Sequence, residues 1–210
     1  MTEILDRIGA ARLVPVVVLD DASSAAPLAE ALTAGGLPVA EVTFRTAAAV
    51  ESIKVMSANR EMLVGAGTVL TPEQVDAAVD AGASYIVSPG LSVPVVRRCA
   101  ERGVLALPGA VTATEVQAAL AEGLTAVKFF PASTSGGAPA IKALSAPFGG
   151  LRFVPTGGIG PANLNDYLSI EAVLAVGGSW MVPRAEIAAG DFAKVTSLTT
   201  EAVALATPSA

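Results

Sequence analysis

Thr125-Ala126-Val127-Lys128-Phe129-Phe130-Pro131-Ala132 sets one lysine inside an apolar run with the length and residue types of a buried strand. Lysine is among the residues least often fully buried, because taking an ammonium out of water is costly. Burial disfavours the charged form, and a neutral amine is a nucleophile that condenses with carbonyl compounds. The chain holds four lysines (Lys54, Lys128, Lys142 and Lys194), and the other three fall in helix-like contexts compatible with solvent. The alternative for Lys128 is a side chain that snorkels from a strand end and pairs with a carboxylate.

A second constellation is Val39-Ala40-Glu41-Val42-Thr43-Phe44-Arg45-Thr46. Strand alternation places Glu41, Thr43 and Arg45 on one face and Val42 and Phe44 on the other. The apolar pair suits a layer against helices, so the polar three point into a barrel. An acid and a base on one inward face can be a structural ion pair. Near a barrel mouth they are instead a general base, Glu41, and a carboxylate anchor, Arg45. Glycine turns form a third group. Val64-Gly65-Ala66-Gly67-Thr68-Val69 offers small residues and one hydroxyl where backbone approaches closely, although tight packing alone explains such glycines. Phe153-Val154-Pro155-Thr156-Gly157-Gly158-Ile159 and Ala175-Val176-Gly177-Gly178-Ser179-Trp180 supply loop N–H groups of the kind that hold a phosphate.

Those residues need a scaffold, and the chain alternates apolar strands with helical stretches. Strands are expected at Leu13–Leu19, Val39–Phe44, Leu63–Val69, Tyr85–Pro89, Val104–Pro108, Ala126–Pro131, Arg152–Thr156 and Val173–Gly177. A short amphipathic helix precedes them, up to about Gly9. Further helices run from about Ser24 to Ala34 and start near Ala47, Pro72, Val93, Thr112, Ala138, Pro161 and Pro183. Thr71-Pro72 reads as an N-cap followed by proline at the first helical position, and Thr112-Ala113-Thr114-Glu115 as a capping box. The short strand-to-strand spacing leaves room for one helix per crossover. Eight such units predict a parallel sheet closed into a single-domain (β/α)₈ TIM barrel of the α/β class, spanning residues 1–210. An open doubly wound sheet is the rival, but no G-x-G-x-x-G follows the first strand. Most strands end in glycine or proline, which places close backbone approach on one face of the barrel.

Composition narrows the chemistry further. The 210 residues are 52% apolar with a net charge of −6. No basic patch is expected, so nucleic acid and anionic membrane are not expected partners. The absence of histidine removes histidine bases, Ser–His triads and histidine-containing metal sites. A single cysteine, Cys99, excludes internal disulfides and CxxC zinc sites, and its apolar context makes it a small core residue. The N-terminal Met1-Thr2-Glu3-Ile4-Leu5-Asp6-Arg7 lacks the apolar region of a signal peptide, and no apolar run reaches membrane-spanning length. A reducing cytoplasm is the expected location.

Taken together, Glu41-Val42-Thr43-Phe44-Arg45-Thr46, Val64-Gly65-Ala66-Gly67-Thr68-Val69, Ser88-Pro89-Gly90, Lys128-Phe129-Phe130-Pro131-Ala132, Pro155-Thr156-Gly157-Gly158-Ile159 and Gly177-Gly178-Ser179-Trp180 resemble the KDPG/KHG aldolases. The resemblance runs from about Val14 to Val182. It implies a homotrimeric barrel without metal or other cofactor. The implied activity cleaves 2-keto-3-deoxy-6-phosphogluconate, an anionic keto-acid sugar phosphate of the Entner–Doudoroff pathway, and often 4-hydroxy-2-oxoglutarate. It places the Schiff-base lysine on Lys128, the proton-transfer glutamate on Glu41, and the carboxylate binders on Arg45 and Thr68. Phosphate contacts fall on Gly157, Gly158, Gly178 and Ser179. Thr156 falls at the position associated with stereochemical choice at C4, and Pro89 and Phe130 line the pocket. The sequence departs from the pattern at Ala40, where a larger aliphatic is common. It departs again at Ala132-Ser133-Thr134-Ser135-Gly136-Gly137, which replaces a loop that usually contains an acidic residue. Two other expectations stand beside the aldolase: a phosphosugar isomerase or epimerase on the same barrel, and a non-catalytic sugar-phosphate binder.

Overall fold

Leu13-Val14-Pro15-Val16-Val17 is apolar at every position, as in a parallel strand covered on both faces. In the computed structural model, which describes residues 2–207, it forms β1 (Leu13–Val17). Seven more strands follow: β2 (Val39–Thr43), β3 (Leu63–Gly67), β4 (Tyr85–Ser88), β5 (Leu105–Pro108), β6 (Ala126–Phe129), β7 (Arg152–Pro155) and β8 (Val176–Gly178). Apart from Val16 and Arg152, every strand residue is buried. The helices are α1 (Thr2–Ala11), α2 (Ala25–Ala34), α3 (Ala49–Ser57), α4 (Pro72–Asp80) and α5 (Val93–Glu101). They continue with α6 (Ala113–Ala121), α7 (Gly137–Ser145), α8 (Leu164–Leu168), α9 (Arg184–Ala189) and α10 (Phe192–Ala206).

All pairings are parallel. Six strands run in the order β5-β4-β3-β2-β1-β8, and β6 pairs with β7 separately. Single bridges join the two pieces, Gly109 to Lys128 on one side, and Phe153 to Val173 and Thr156 to Gly177 on the other. The seams carry hydrogen bonds from Ala110 N–H to the Lys128 carbonyl and from Phe153 N–H to the Ala172 carbonyl, each 2.8 Å. Eight strands therefore close into a (β/α)₈ barrel, as the alternation predicts.

The expected caps form. Thr71 Oγ1 accepts from Gln74 N–H, and Thr112 with Glu115 makes a reciprocal capping box. Two boundaries differ from expectation. The last strand starts at Val176 rather than Val173, because only Val176, Gly177 and Gly178 find partners in β1. The C-terminal helical stretch is two helices. Gly190, at φ 72°, ends α9 in the left-handed region, and Asp191 caps α10 through Lys194 N–H. Met1, within the stretch read for a signal peptide, and residues 208–210 lie outside the described residues.

Cys99 is buried in α5, as its context predicts, and burial pushes its thiol up to about 12. No helix among the described residues is long and apolar enough to cross a membrane.

Candidate active site

Lys128 is the third residue of β6, and its ammonium does not snorkel to the barrel end. The residue is 6% exposed, and its Nζ lies 3.1 Å from Glu41 Oε1 and 3.3 Å from Oε2. Glu41, in the middle of β2, is 3% exposed. The pairing crosses the barrel interior, joining strands that are not neighbours in the sheet. Both Lys128 readings are therefore partly met: the amine is buried, and it has a carboxylate partner.

Glycine makes room for that carboxylate. A Cβ on Gly67 would overlap Glu41 Oε1, and a Cβ on Gly65 would overlap the Tyr85 ring. The two glycines of β3 are thus close-approach positions rather than loose packing. Tyr85 donates its hydroxyl hydrogen bond to the Ala40 carbonyl at 2.8 Å, one residue before Glu41. Burial, with the Glu41 charge second, holds the Tyr85 phenol well above its usual range, so it stays a donor. A void of about 10 Å³ remains between Val14, Glu41, Tyr85, Val87, Leu107, Lys128 and Val154. That is about the size of one water molecule.

The remaining expected residues gather at the C-terminal ends of the strands. Phe130 follows β6, with its ring centroid 5.3 Å from Lys128 Nζ, within cation–π range. The same ring lies beside Gly157, 3.4 Å from where a Cβ there would stand. Thr156, buried, has its hydroxyl where a Cβ on Gly177 would be. Thr68 follows β3 at φ 57°, a conformation that costs a non-glycine residue about 1–3 kcal/mol and is found where the surroundings enforce it. Pro89 follows β4 on the exposed rim, its carbonyl against Gly109.

Arg45 differs from expectation. β2 ends at Thr43, so the strict alternation that placed Arg45 beside Glu41 inside the barrel stops two residues too early. Arg45 stands instead in the following turn, exposed, with no ion pair or side-chain hydrogen bond among the described residues. Thr43 does point inward, donating to the Val17 carbonyl at 3.0 Å.

The two glycine turns after β7 and β8 lie side by side, joined by the Thr156–Gly177 bridge. The N–H groups of Gly158 and Ser179 donate to no acceptor among the described residues. The Gly158 carbonyl is tied back by Asn163 Nδ2 at 3.1 Å, and Asn163 Oδ1 accepts from Gly160 N–H at 2.9 Å. Free donors with their carbonyls turned away make a cradle for an anion. Among the described residues, no group of three or more acidic or cysteine side chains is placed to hold a metal ion.

Tyr85 and Asn163 carry no sequence signal of their own, and Ser133, whose side chain lies against Gly158, is marked only as part of the loop that departs from the family pattern. The glycines they meet are the only other hint, and glycine identifies a gap without naming what fills it.

A family model described as KDPG and KHG aldolase matches residues 4–198. The chain is 48% identical over 199 residues to the 2-dehydro-3-deoxy-phosphogluconate aldolase of Treponema pallidum, covering 94% of this chain and 95% of that protein. It is similar to the crystal structure of the Zymomonas mobilis ZM4 2-keto-3-deoxy-6-phosphogluconate aldolase with 3-phosphoglycerate. That match has a TM-score of 0.92 at 43% identity, covering 98% of this chain and 97% of the other. A third match is the KDPG aldolase of Legionella pneumophila, with pyruvate captured as a covalent carbinolamine. Its TM-score is 0.91 at 37% identity, covering 94% and 97% of the two chains.

Proposed function

The chain belongs to the KDPG/KHG aldolase family, and from that premise we propose that it is a class I aldolase. It cleaves 2-keto-3-deoxy-6-phosphogluconate to pyruvate and glyceraldehyde 3-phosphate, and also acts on 4-hydroxy-2-oxoglutarate. The observation that carries this reading is the buried Lys128–Glu41 pair, inside a barrel whose strand ends carry unpartnered N–H donors.

The two side chains suffice for the proton movements. Transfer of a proton from Lys128 to Glu41 frees the amine, which attacks the C2 ketone. Glu41 returns the proton to the carbinolamine hydroxyl, water leaves, and an iminium remains. The glutamate, again a carboxylate, takes the C4 hydroxyl proton, directly or through a water. The C3–C4 electrons then collapse into the iminium, giving an enamine and the aldehyde. Glu41 protonates the enamine carbon, and hydrolysis releases pyruvate. The imine nitrogen supplies the electron sink, so the chemistry calls for no metal.

Arg45 and Thr68 hold the keto-acid carboxylate at the mouth, and Pro89 and Phe130 wall the pocket. Thr156 faces C4. Gly157, Gly158, Gly178 and Ser179 receive the phosphate. The chain works as a single-domain homotrimer in the cytoplasm.

Borohydride with pyruvate tests the reading. It is expected to add one reduced pyruvyl group to the intact protein, located at Lys128 by peptide mapping. A protein whose mass does not change is not a class I aldolase. Sedimentation at equilibrium checks the trimer.

A further inference from the structure

The segment after β6 does not leave the barrel wall at once. Ala132 N–H donates to the Thr156 carbonyl at 2.8 Å, and Ser133 N–H to the Gly157 carbonyl at 3.0 Å. The chain from Lys128 to Ser133 therefore stays laced to β7 and to the turn beyond it. This lacing brings the Ser133 side chain onto Gly158, where a Cβ would overlap Ser133 Oγ. Gly158 sits at φ 73°, so the turn itself requires glycine, and the hydroxyl fills the space that glycine leaves.

That hydroxyl has no hydrogen-bond partner among the described residues, whereas its neighbour Thr134 turns back to the Pro131 carbonyl. The N–H group beside it, on Gly158, is equally without an acceptor. Two unpartnered donors thus stand at one turn, one fixed in the backbone and one on a rotatable hydroxyl. A hydroxyl so placed adds a charge-assisted bond to an anion held by the backbone N–H. It gives much less to a neutral alcohol, which the backbone donor does not draw into place.

We propose that Ser133 is a specificity-determining residue, whose hydroxyl donates to the distal phosphate of the substrate and favours phosphorylated over dephosphorylated keto acids. The inference rests on the placement of that phosphate at the Gly157-Gly158 turn. One continuous segment would then carry both the amine that attacks C2 and a donor for the far end.

The test uses the full-length enzyme with 2-keto-3-deoxy-6-phosphogluconate and its dephosphorylated counterpart. Ser133→Ala is expected to lower kcat/KM for the phosphorylated substrate about tenfold, mainly through KM, and to change the other by less than about twofold. Ser133→Thr, which keeps the hydroxyl, should recover most of the loss. Ser133→Asp should widen it by placing a carboxylate against the dianion. Pyruvate trapping by borohydride should be the same in wild type and all three variants. If Ser133→Ala treats both substrates as the wild type does, or loses both in parallel, the inference fails while the aldolase assignment stands. If the wild type traps no pyruvate, the assignment fails and takes the inference with it.

Discussion

Glu41 Oε1 occupies the space that a side chain on Gly67 would need. The proton-transfer carboxylate is thus positioned by an absence on the neighbouring strand, and Lys128 Nζ completes its shell at 3.1 Å. Adding one methyl at Gly67 should push the carboxylate away from the amine. Gly67→Ala is expected to lower kcat at least tenfold and to cost about 1–3 kcal/mol of stability through overpacking. Urea denaturation and steady-state turnover measure the two effects separately. Wild-type kcat in a folded Gly67→Ala protein would contradict this positioning.

Replacing Lys128 removes the nucleophile and strands a carboxylate in the barrel interior. Lys128→Met should abolish pyruvate trapping and turnover, and it should be less stable by about 3–5 kcal/mol, because Glu41 is left without its partner. The double variant Lys128→Met with Glu41→Gln should recover part of that stability but no activity. A double variant as unstable as the single one would show that the buried charge is not the cause.

Glu41→Gln keeps the shape of the side chain and removes its capacity to shuttle protons. Turnover should fall by about 10²-fold or more, while borohydride still fixes some pyruvate on Lys128. Equal rates for wild type and variant would remove Glu41 from the mechanism.

Tyr85→Phe keeps the ring that covers Gly65 but deletes the hydrogen bond to the Ala40 carbonyl. The buried carbonyl loses a donor, so unfolding free energy should drop by about 1 kcal/mol, readable as a lower urea midpoint at constant slope. No change in midpoint would mean that the bond contributes nothing net.

The Cys99 thiol, raised to about 12 by burial, is protonated at neutral and mildly alkaline pH. Native protein should resist alkylation by iodoacetamide up to about pH 9, with modification appearing on denaturation in urea, where the thiol returns to its ordinary value near 8.5. Rapid native-state alkylation at pH 8 would contradict the burial. Activity should also survive EDTA, since the imine supplies the electron sink. Inhibition reversed by magnesium or manganese would point to metal-dependent chemistry instead.

The eightfold alternation of apolar strands and capped helices was legible because each signal is local. Thr71 and Thr112 cap helices through neighbours three residues away, and a strand buried on both faces announces itself by composition. Lys128 stood out for the same reason, as a charge in a run that has no surface. Arg45 was misplaced because alternation holds only while the strand lasts, and the sequence does not mark Thr43 as its end. Gly190-Asp191 carries both a stop and a start, a left-handed C-cap glycine followed by an N-cap aspartate, and that pair separates α9 from α10.

The sequence by itself determined the kind of barrel and the residue types available for chemistry, because periodicity and composition act within a few residues. Only the tertiary structure decided that Lys128 meets Glu41, 87 residues away, that Gly67 yields to the carboxylate, and that Ser133 stands over Gly158. Those relationships depend on strand register and barrel closure, which bring together side chains that share no local pattern.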